Sequence, residues 1–268
     1  MTAAHDQQSA LSKVPAVTLG FWIAKIFATT LGETAGDAVT MSWLGETTPG
    51  ASTAVSGYLI GTGIFGVILL ALVLLQIRAK QFHPYLYWAT IVASTTAGTT
   101  LADFATRSLG IGYSGGSILL LGLVLASLGT WKKVEGKISS DQIVTARTEA
   151  FYWITITFSQ TLGTALGDWA ADPATLGLGY LGGALLFGGL IALVALLYFA
   201  TNINRVALFW AAFILTQPLG ATVGDFLDKP LAKGGLALSR PLASAALAIA
   251  IVAIVFVTRR RDRDTVPA

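Results

Sequence analysis

Long apolar segments alternate with short polar connections along most of the chain. Nearly all of the apolar segments reach the length of about 20 residues that a helix needs to cross a bilayer. The fourth is shorter. The pattern predicts eight membrane-spanning helices, over residues 16–44, 55–77, 84–109, 115–131, 146–171, 176–200, 205–227 and 236–257.

The composition supports a membrane protein rather than a soluble one. Charged residues make up 12% of the chain and hydrophobic residues 54%, and the mean hydropathy is +0.70. Soluble domains average about 25% charged residues. The absence of cysteine excludes disulfides and thiolate metal sites, and His5 and His83 lie outside the apolar segments. We expect an all-α polytopic membrane protein with no resident cofactor beyond a possible bound divalent cation.

Basic residues are unevenly divided between the two sides of these predicted spans. Membrane proteins keep most of their Lys and Arg residues in cytoplasmic loops. Twelve lie on the side of the termini: Lys13, Arg78, Lys80, Lys132, Lys133, Lys137, Arg147, Arg205, Arg259, Arg260, Arg261 and Arg263. Four lie on the other side, Arg107, Lys229, Lys233 and Arg240, and Lys25 lies inside the first span. We therefore expect a single membrane domain, 16–258, between a cytoplasmic segment, 1–15, and a basic cytoplasmic tail, 259–268.

Four aspartates mark an internal repeat: Asp37, Asp103, Asp168 and Asp225. Fifteen residues before each aspartate stands a tryptophan: Trp22, Trp88, Trp153 and Trp210. Five residues before each stands a glycine: Gly32, Gly98, Gly163 and Gly220. A glycine or alanine directly precedes each aspartate, which completes a G-x-x-x-[GA]-D box. Because the chain has only seven tryptophans, a register shared by four of them indicates a fourfold tandem duplication.

Each repeat is long enough for two spans. The predicted repeats are residues 16–78, 84–131, 146–200 and 205–257. With two spans each, all four enter the membrane in the same direction and are parallel rather than inverted repeats. Such repeats can surround a pseudo-fourfold axis or pair as two halves, and the sequence leaves both arrangements open.

The four boxes read GETAGD, GTTLAD, GTALGD and GATVGD. Together with the fixed tryptophan, these two-helix repeats resemble the bacterial family called uncharacterized membrane-anchored proteins, whose repeat has no known function. The resemblance covers roughly residues 21–257. It implies an eight-helix protein of the bacterial plasma membrane whose partner is the lipid bilayer, and it implies no reaction.

The odd-numbered predicted helices carry a polar stripe. At 100° per residue, positions −15, −11, −8, −7, −4 and 0 relative to the aspartate share one helical face. Besides the aspartates, polar members of the stripe are Thr29, Thr30, Glu33, Thr95, Thr96, Thr99, Thr157, Gln160, Thr161, Thr164 and Gln217. We interpret the tryptophans at position −15 as an aromatic belt at the cytoplasmic interface. The box glycines are interpreted as points of close helix contact.

Exposing the acidic residues of this stripe to lipid would cost free energy. A charged side chain at the bilayer centre costs about 2.5–3.5 kcal/mol, so Glu33 and the four box aspartates are expected to surround an interior site. Lys25 is the one basic candidate within the spans and a possible charge partner. One ammonium cannot balance the charge of five carboxylates, so protons or a bound cation must supply the remaining positive charge. Carboxylate, hydroxyl and amide oxygens suit magnesium, calcium or manganese.

These features favour a transporter for a small inorganic cation, either a divalent metal ion or a cation exchanged for protons. Glu33 lies one turn below Asp37, and no other repeat has an acid at this position. We expect these two residues to form the ion-binding or proton-coupling centre and Asp103, Asp168 and Asp225 to support it. A passive channel and a structural or sensory membrane protein remain open, as does the oligomeric state. No enzyme and no nucleic-acid partner are expected.

Overall fold

The computed structural model of the chain describes residues 13–46, 56–139 and 143–264, the last six of these by their backbone alone. Most of the predicted N-terminal segment, residues 1–12, and the end of the predicted tail, residues 265–268, lie outside the described residues. The fold is all-α, and the described ranges contain no strand. The eight long helices are Leu19–Asp37 (α1), Gly57–Arg78 (α2), Pro84–Asp103 (α3), Gly112–Glu135 (α4), Ala146–Ala171 (α5), Gly179–Ala200 (α6), Arg205–Asp228 (α7) and Arg240–Asp264 (α8).

Helix starts are set by side chains that accept hydrogen bonds from the first free backbone N–H groups. Thr18 accepts from the amide of Phe21 at the start of α1, and Thr145 accepts from Thr148 at the start of α5. Asn204 accepts from two amides at the start of α7. In α3 the first helical residue is Pro84, whose missing N–H is no loss at that position.

Two helices are longer than their apolar segments. The fourth was predicted over 115–131, but α4 has 24 residues and includes Lys132 and Lys133 in its last turn. Lysines at a helix C-terminus complement the helix dipole, so the helix continues beyond its apolar part. In the same way α8 continues to Asp264, into the predicted basic tail.

After the box aspartate, the four repeats differ in backbone. In repeats 1 and 2 the α-helix ends at the aspartate and continues as a wider π-helical turn, over Ala38–Trp43 and Phe104–Ser108. In repeats 3 and 4 the α-helix itself continues past Asp168 and Asp225. The end of the molecule that carries the box aspartates therefore departs from strict fourfold similarity.

The odd-numbered helices contact one another in cyclic order. Helix α1 packs against α3 and α7, and α5 packs against the same two helices. Each even-numbered helix packs mainly against the odd-numbered helix of the following repeat: α2 against α3, α4 against α5, α6 against α7, and α8 against α1. Every repeat therefore packs against the next repeat, and the last repeat packs against the first.

Five helices are long and apolar enough to cross a membrane: α2, α4, α6, α7 and the Arg240–Thr258 part of α8. The even-numbered helices among them are poorly buried inside the protein, with 17% of the α2 window and 11% of the α6 window buried. Apolar helices that expose most of their surface need lipid around them. Helices α1, α3 and α5 contain more polar residues, which face the protein interior.

An aromatic cluster fills one end of the bundle. Trp88, Trp153 and Trp210 are buried there, and Trp22 packs against the cluster. Trp210 lies edge to face with Trp131, with ring centroids 5.9 Å apart. The interpretation as an interfacial belt is therefore wrong for Trp88, Trp153 and Trp210, which face the protein interior. Their shared position packs the ends of the odd helices against each other.

Candidate cation site

The inward-facing residues of the odd helices recur every four positions. The residues at −12, −8, −4 and 0 form successive layers, and the −12 layer is fully buried: Lys25, Ile91, Ile156 and Phe213. The predicted stripe agrees with these layers at −8, −4 and 0. Before position −8 the prediction is wrong by one residue, because it includes position −11, where the residues are only partly buried. Residues four apart form the ridges along which helices commonly pack, and this favours −12 over −11.

The box glycines allow these helices to approach closely. A Cβ on Gly32 would lie 2.9 Å from the carbonyl carbon of Thr95, and one on Gly98 would lie 2.9 Å from the Cβ of Gln160. Gly163 and Gly220 meet Gln217 and Thr29 in the same way. Each glycine therefore faces position −8 of the next repeat. The interpretation of the glycines as close-contact points is confirmed.

The four box aspartates are held in two pairs by two basic residues. Arg107 places Nε 2.9 Å from Asp103 Oδ1 and Nη2 3.1 Å from Asp168 Oδ2. Lys229 contacts Asp37 Oδ2 and lies 2.9 Å from Asp225 Oδ1. Each basic residue thus joins the aspartate of its own repeat to that of the next.

Lys229 has an unusually acidic environment. Asp228 Oδ1 lies 3.9 Å from its ammonium, and Asp228 Oδ2 also pairs with Arg240 Nε at 3.0 Å. Burial lowers the pKa of Lys229, but Asp225, Asp37 and Asp228 raise this pKa by more, and it lies well above its ordinary value. The surrounding carboxylates therefore favour the charged form of the Lys229 side chain.

Glu33 lies below this group in the −4 layer. Its Oε2 accepts hydrogen bonds from Thr99, at 3.0 Å, and from Thr164, at 3.4 Å. Gln217 Nε2 in turn donates to Thr164 at 3.2 Å. Carboxylate oxygens of Glu33, Asp37 and Asp225 all lie within 4.8 Å of one another. These three residues, which we call the acidic triad, are buried and offer the hard oxygen ligands that divalent cations prefer.

Lys25 is separated from the acidic triad. It is fully buried, donates to Gln160 Oε1 at 3.1 Å and lies 4.3 Å from the centre of the Phe213 ring. Among the described residues no carboxylate lies within 4 Å of its ammonium. Lys25 is therefore not the charge partner of the acids.

Several threonines of the predicted stripe bond to their own helices. Thr30 and Thr96 donate to the carbonyls of Ile26 and Val92, and Thr161 donates to Thr157. Thr29 and Thr95 also reach the backbone of a neighbouring odd helix. These hydroxyls support the helix ring, whereas Thr99 and Thr164 contact an acidic side chain directly.

Sequence reasoning missed Arg107 and Lys229 as partners of the aspartates. Their positions in the sequence predict loops on the side opposite the termini, with no role beyond topology. The signal was visible in their spacing, since each follows a box aspartate by four residues, one helical turn. Repeats 1 and 3 have Met41 and Asp172 at this position, so the basic residue is specific to alternate repeats.

Comparison with known proteins agrees with the fourfold pattern. No curated protein and no solved structure matches the chain. The family described as Repeat of Unknown Function (DUF347) matches it four times, over residues 20–82, 86–137, 151–204 and 208–264. These four matches cover most of the chain, each contains one G-x-x-x-[GA]-D box, and the chain therefore belongs to this family of tandem repeats.

Proposed function

We propose that all eight helices cross a bacterial plasma membrane, with the four repeats parallel around a pseudo-fourfold axis and both termini in the cytoplasm. The cyclic contacts of the odd helices and the common register of the box glycines support this arrangement. Buried carboxylates pair with Arg107, Lys229 and Arg240. The proposed outer side therefore has even less unpaired positive charge than the side of the termini. This pairing leaves Lys233 as the one outer-side basic residue without a carboxylate within 4 Å among the described residues.

The function that the geometry supports best is transport of a small inorganic cation, as a divalent metal ion or in exchange for protons. The acidic triad carries this proposal, because three buried carboxylates lie close enough to share one cation. Thr99 and Thr164 add hydroxyl groups beside Glu33. The site lies on the inner face of the helix ring, away from lipid.

The charge around the acidic triad also favours a cation. Four carboxylates lie in this group, those of Glu33, Asp37, Asp225 and Asp228, together with the cations Lys229 and Arg240. Full ionisation leaves an excess of two negative charges, which one divalent ion or two protons balance. Buried charges without partners are strongly destabilising, so this excess favours ion or proton uptake.

The test is flux of radioactive manganese, with calcium and magnesium as competitors, into proteoliposomes containing the purified protein. Glu33→Gln and Asp37→Asn keep the side-chain shape and remove a ligand charge, and each is expected to reduce flux at least about 100-fold. Glu149→Gln is the control, since Glu149 is a buried acid that pairs with Lys13 at 2.7 Å, outside the acidic triad. Unchanged flux in both triad variants would exclude the triad as the transport site.

A structural role is the second candidate, and the two bridges made by Arg107 and Lys229 favour it. Buried ion pairs of this kind can fix the register of a bundle without binding any ligand. A purely structural protein shows no cation flux above that of empty liposomes, and its triad variants change thermal stability alone. A passive channel is less consistent with the fold, because aromatic rings pack together at one end of the helix ring.

A further inference from the structure

Arg107 and Lys229 hold equivalent positions but have different surroundings. Each lies four residues beyond a box aspartate and bridges two aspartates. Arg107 joins repeats 2 and 3, whose residues in the −4 layer are Thr99 and Thr164, with hydroxyls in contact at 3.2 Å. Lys229 joins repeats 4 and 1, and repeat 1 contributes Glu33 to this layer; in the described part of the chain the aspartates of Lys229 therefore lie close to a third carboxylate.

The ammonium of Lys229 therefore uses the same carboxylates that a metal ion would need. Asp37 and Asp225 are two of the three members of the acidic triad and also the two nearest partners of Lys229. Asp37 is fully buried, yet its Oδ1 has no hydrogen-bond partner among the described residues. A lysine ammonium is a compact point charge, comparable in this role to a bound cation.

The neighbourhood also provides a second position for this ammonium. Asp228 Oδ1 lies 3.9 Å away and is buried without a hydrogen-bond partner in the described part of the chain. Lys229 is the first residue after α7, with an extended backbone. Its side chain can therefore turn from the triad toward Asp228 without any change in the helix.

From this geometry we propose that Lys229 is a tethered cation, whose ammonium and a divalent metal ion replace each other in the acidic triad. The inference rests on the proposed cation transport and specifies its exchange step. When the metal ion enters, the ammonium moves toward Asp228; when the ion leaves, the ammonium returns to Asp37 and Asp225. The empty site is thus never left with three unpaired buried carboxylates, which would be strongly destabilising and would hinder release.

The first test is binding of Mn²⁺ to the purified full-length protein in detergent, measured by calorimetry. Lys229→Met removes the competing charge and is expected to tighten Mn²⁺ binding by about tenfold or more, since a unit charge at contact distance acts strongly in a buried site. Lys229→Arg keeps the charge, and its affinity is expected to stay closer to that of wild type than the affinity of Lys229→Met. Lys233→Met removes the same charge from an exposed residue of the same loop, and we expect no change.

The second test uses the wild-type chain and does not depend on the folding of a variant. Acylation of individual lysines by an amine-reactive reagent is followed by peptide mass spectrometry, with and without Mn²⁺. Lys229 is nearly inaccessible in the structure, and Mn²⁺ is expected to increase its modification rate several-fold by displacing it. Exposed Lys233 serves as the internal control and should react at the same rate in both conditions.

The outcomes separate the two proposals. Wild-type protein that neither binds nor transports a divalent cation rejects the metal transport and the tethered cation together. Proton flux without metal binding is consistent with the proposed proton-coupled transport, but it overturns the exchange of Lys229 with a metal ion. If the wild type binds Mn²⁺ while Lys229→Met leaves the affinity unchanged, the tethered cation alone is wrong. If Lys229→Met does not fold, the labelling decides: an Mn²⁺-dependent increase supports the proposal and an unchanged rate overturns it.

Discussion

At the scale of single residues, Lys25 shows how a buried polar group depends on one partner. Its ammonium is fully buried between Gln160 and Phe213, and Gln160 Oε1 is the hydrogen-bond acceptor. A buried donor or acceptor that loses its partner typically costs about 1–3 kcal/mol. The stability of this layer should therefore depend on both residues together rather than on either alone.

This leads to a prediction for a double-mutant cycle. Lys25→Met leaves Gln160 without its donor, and Gln160→Leu leaves a buried ammonium without its acceptor. We expect Gln160→Leu to lower the free energy of unfolding by about 2–3 kcal/mol and the double variant to recover at least about 1 kcal/mol of that loss. Denaturation in detergent micelles measures all four proteins. Additive losses in the double variant would show that the two side chains are not coupled.

At the scale of helices, the box glycines determine how closely neighbouring repeats approach. In α5, a Cβ on Gly163 would overlap the side chain of Gln217 and lie 2.8 Å from Pro218 Cδ. Both neighbours are held in the interior of α7, so they cannot move away easily. Gly189 of α6 is different, because nothing lies within 4 Å of the Cβ that an alanine would add there.

We therefore predict different results for two glycine-to-alanine variants. Gly163→Ala should lower the free energy of unfolding by about 1–3 kcal/mol, the usual cost of overpacking a tight interface, and should separate α5 from α7. Gly189→Ala should change stability by less than about 0.5 kcal/mol, as expected of a substitution outside the packed interior. Thermal unfolding of both variants in the same detergent is the measurement. Equal melting temperatures would contradict the close-contact role of Gly163.

The helix scale also shows what the sequence could predict. The register of the box glycines and the −8, −4 and 0 layers follow from the duplication, because four copies of one pattern must pack in equivalent ways. The bridges made by Arg107 and Lys229 break that equivalence, since they depend on one non-repeated residue beside each of two boxes. The burial of Trp153 and Trp210 depends on helices that lie far apart in sequence, so composition near a helix end could not distinguish a packed core from an interfacial belt.

At the scale of the whole molecule, the two bridges divide the ring of repeats into two halves. Lys229 joins repeats 4 and 1, whereas Arg107 joins repeats 2 and 3. The interfaces between repeats 1 and 2 and between repeats 3 and 4 rely on hydroxyl and amide contacts, such as Thr99 with Glu33 and Gln217 with Thr164. Cyclic contacts among the odd helices and a pairwise arrangement of charges therefore occur in the same bundle.

The orientation of this bundle in the membrane gives the last prediction. The acidic triad and Lys233 lie toward one end of the odd helices, and the aromatic cluster lies toward the other. Because basic residues predominate on the side of the termini, the triad end should face away from the cytoplasm.

The chain contains no cysteine, so single cysteines can be introduced without background. Lys233→Cys and Lys137→Cys are suitable sites because both residues are exposed. In intact cells a membrane-impermeant maleimide should label Lys233→Cys, whereas Lys137→Cys should react only after the membrane is opened. The reverse labelling pattern would invert the protein in the membrane and place the triad at the cytoplasmic face.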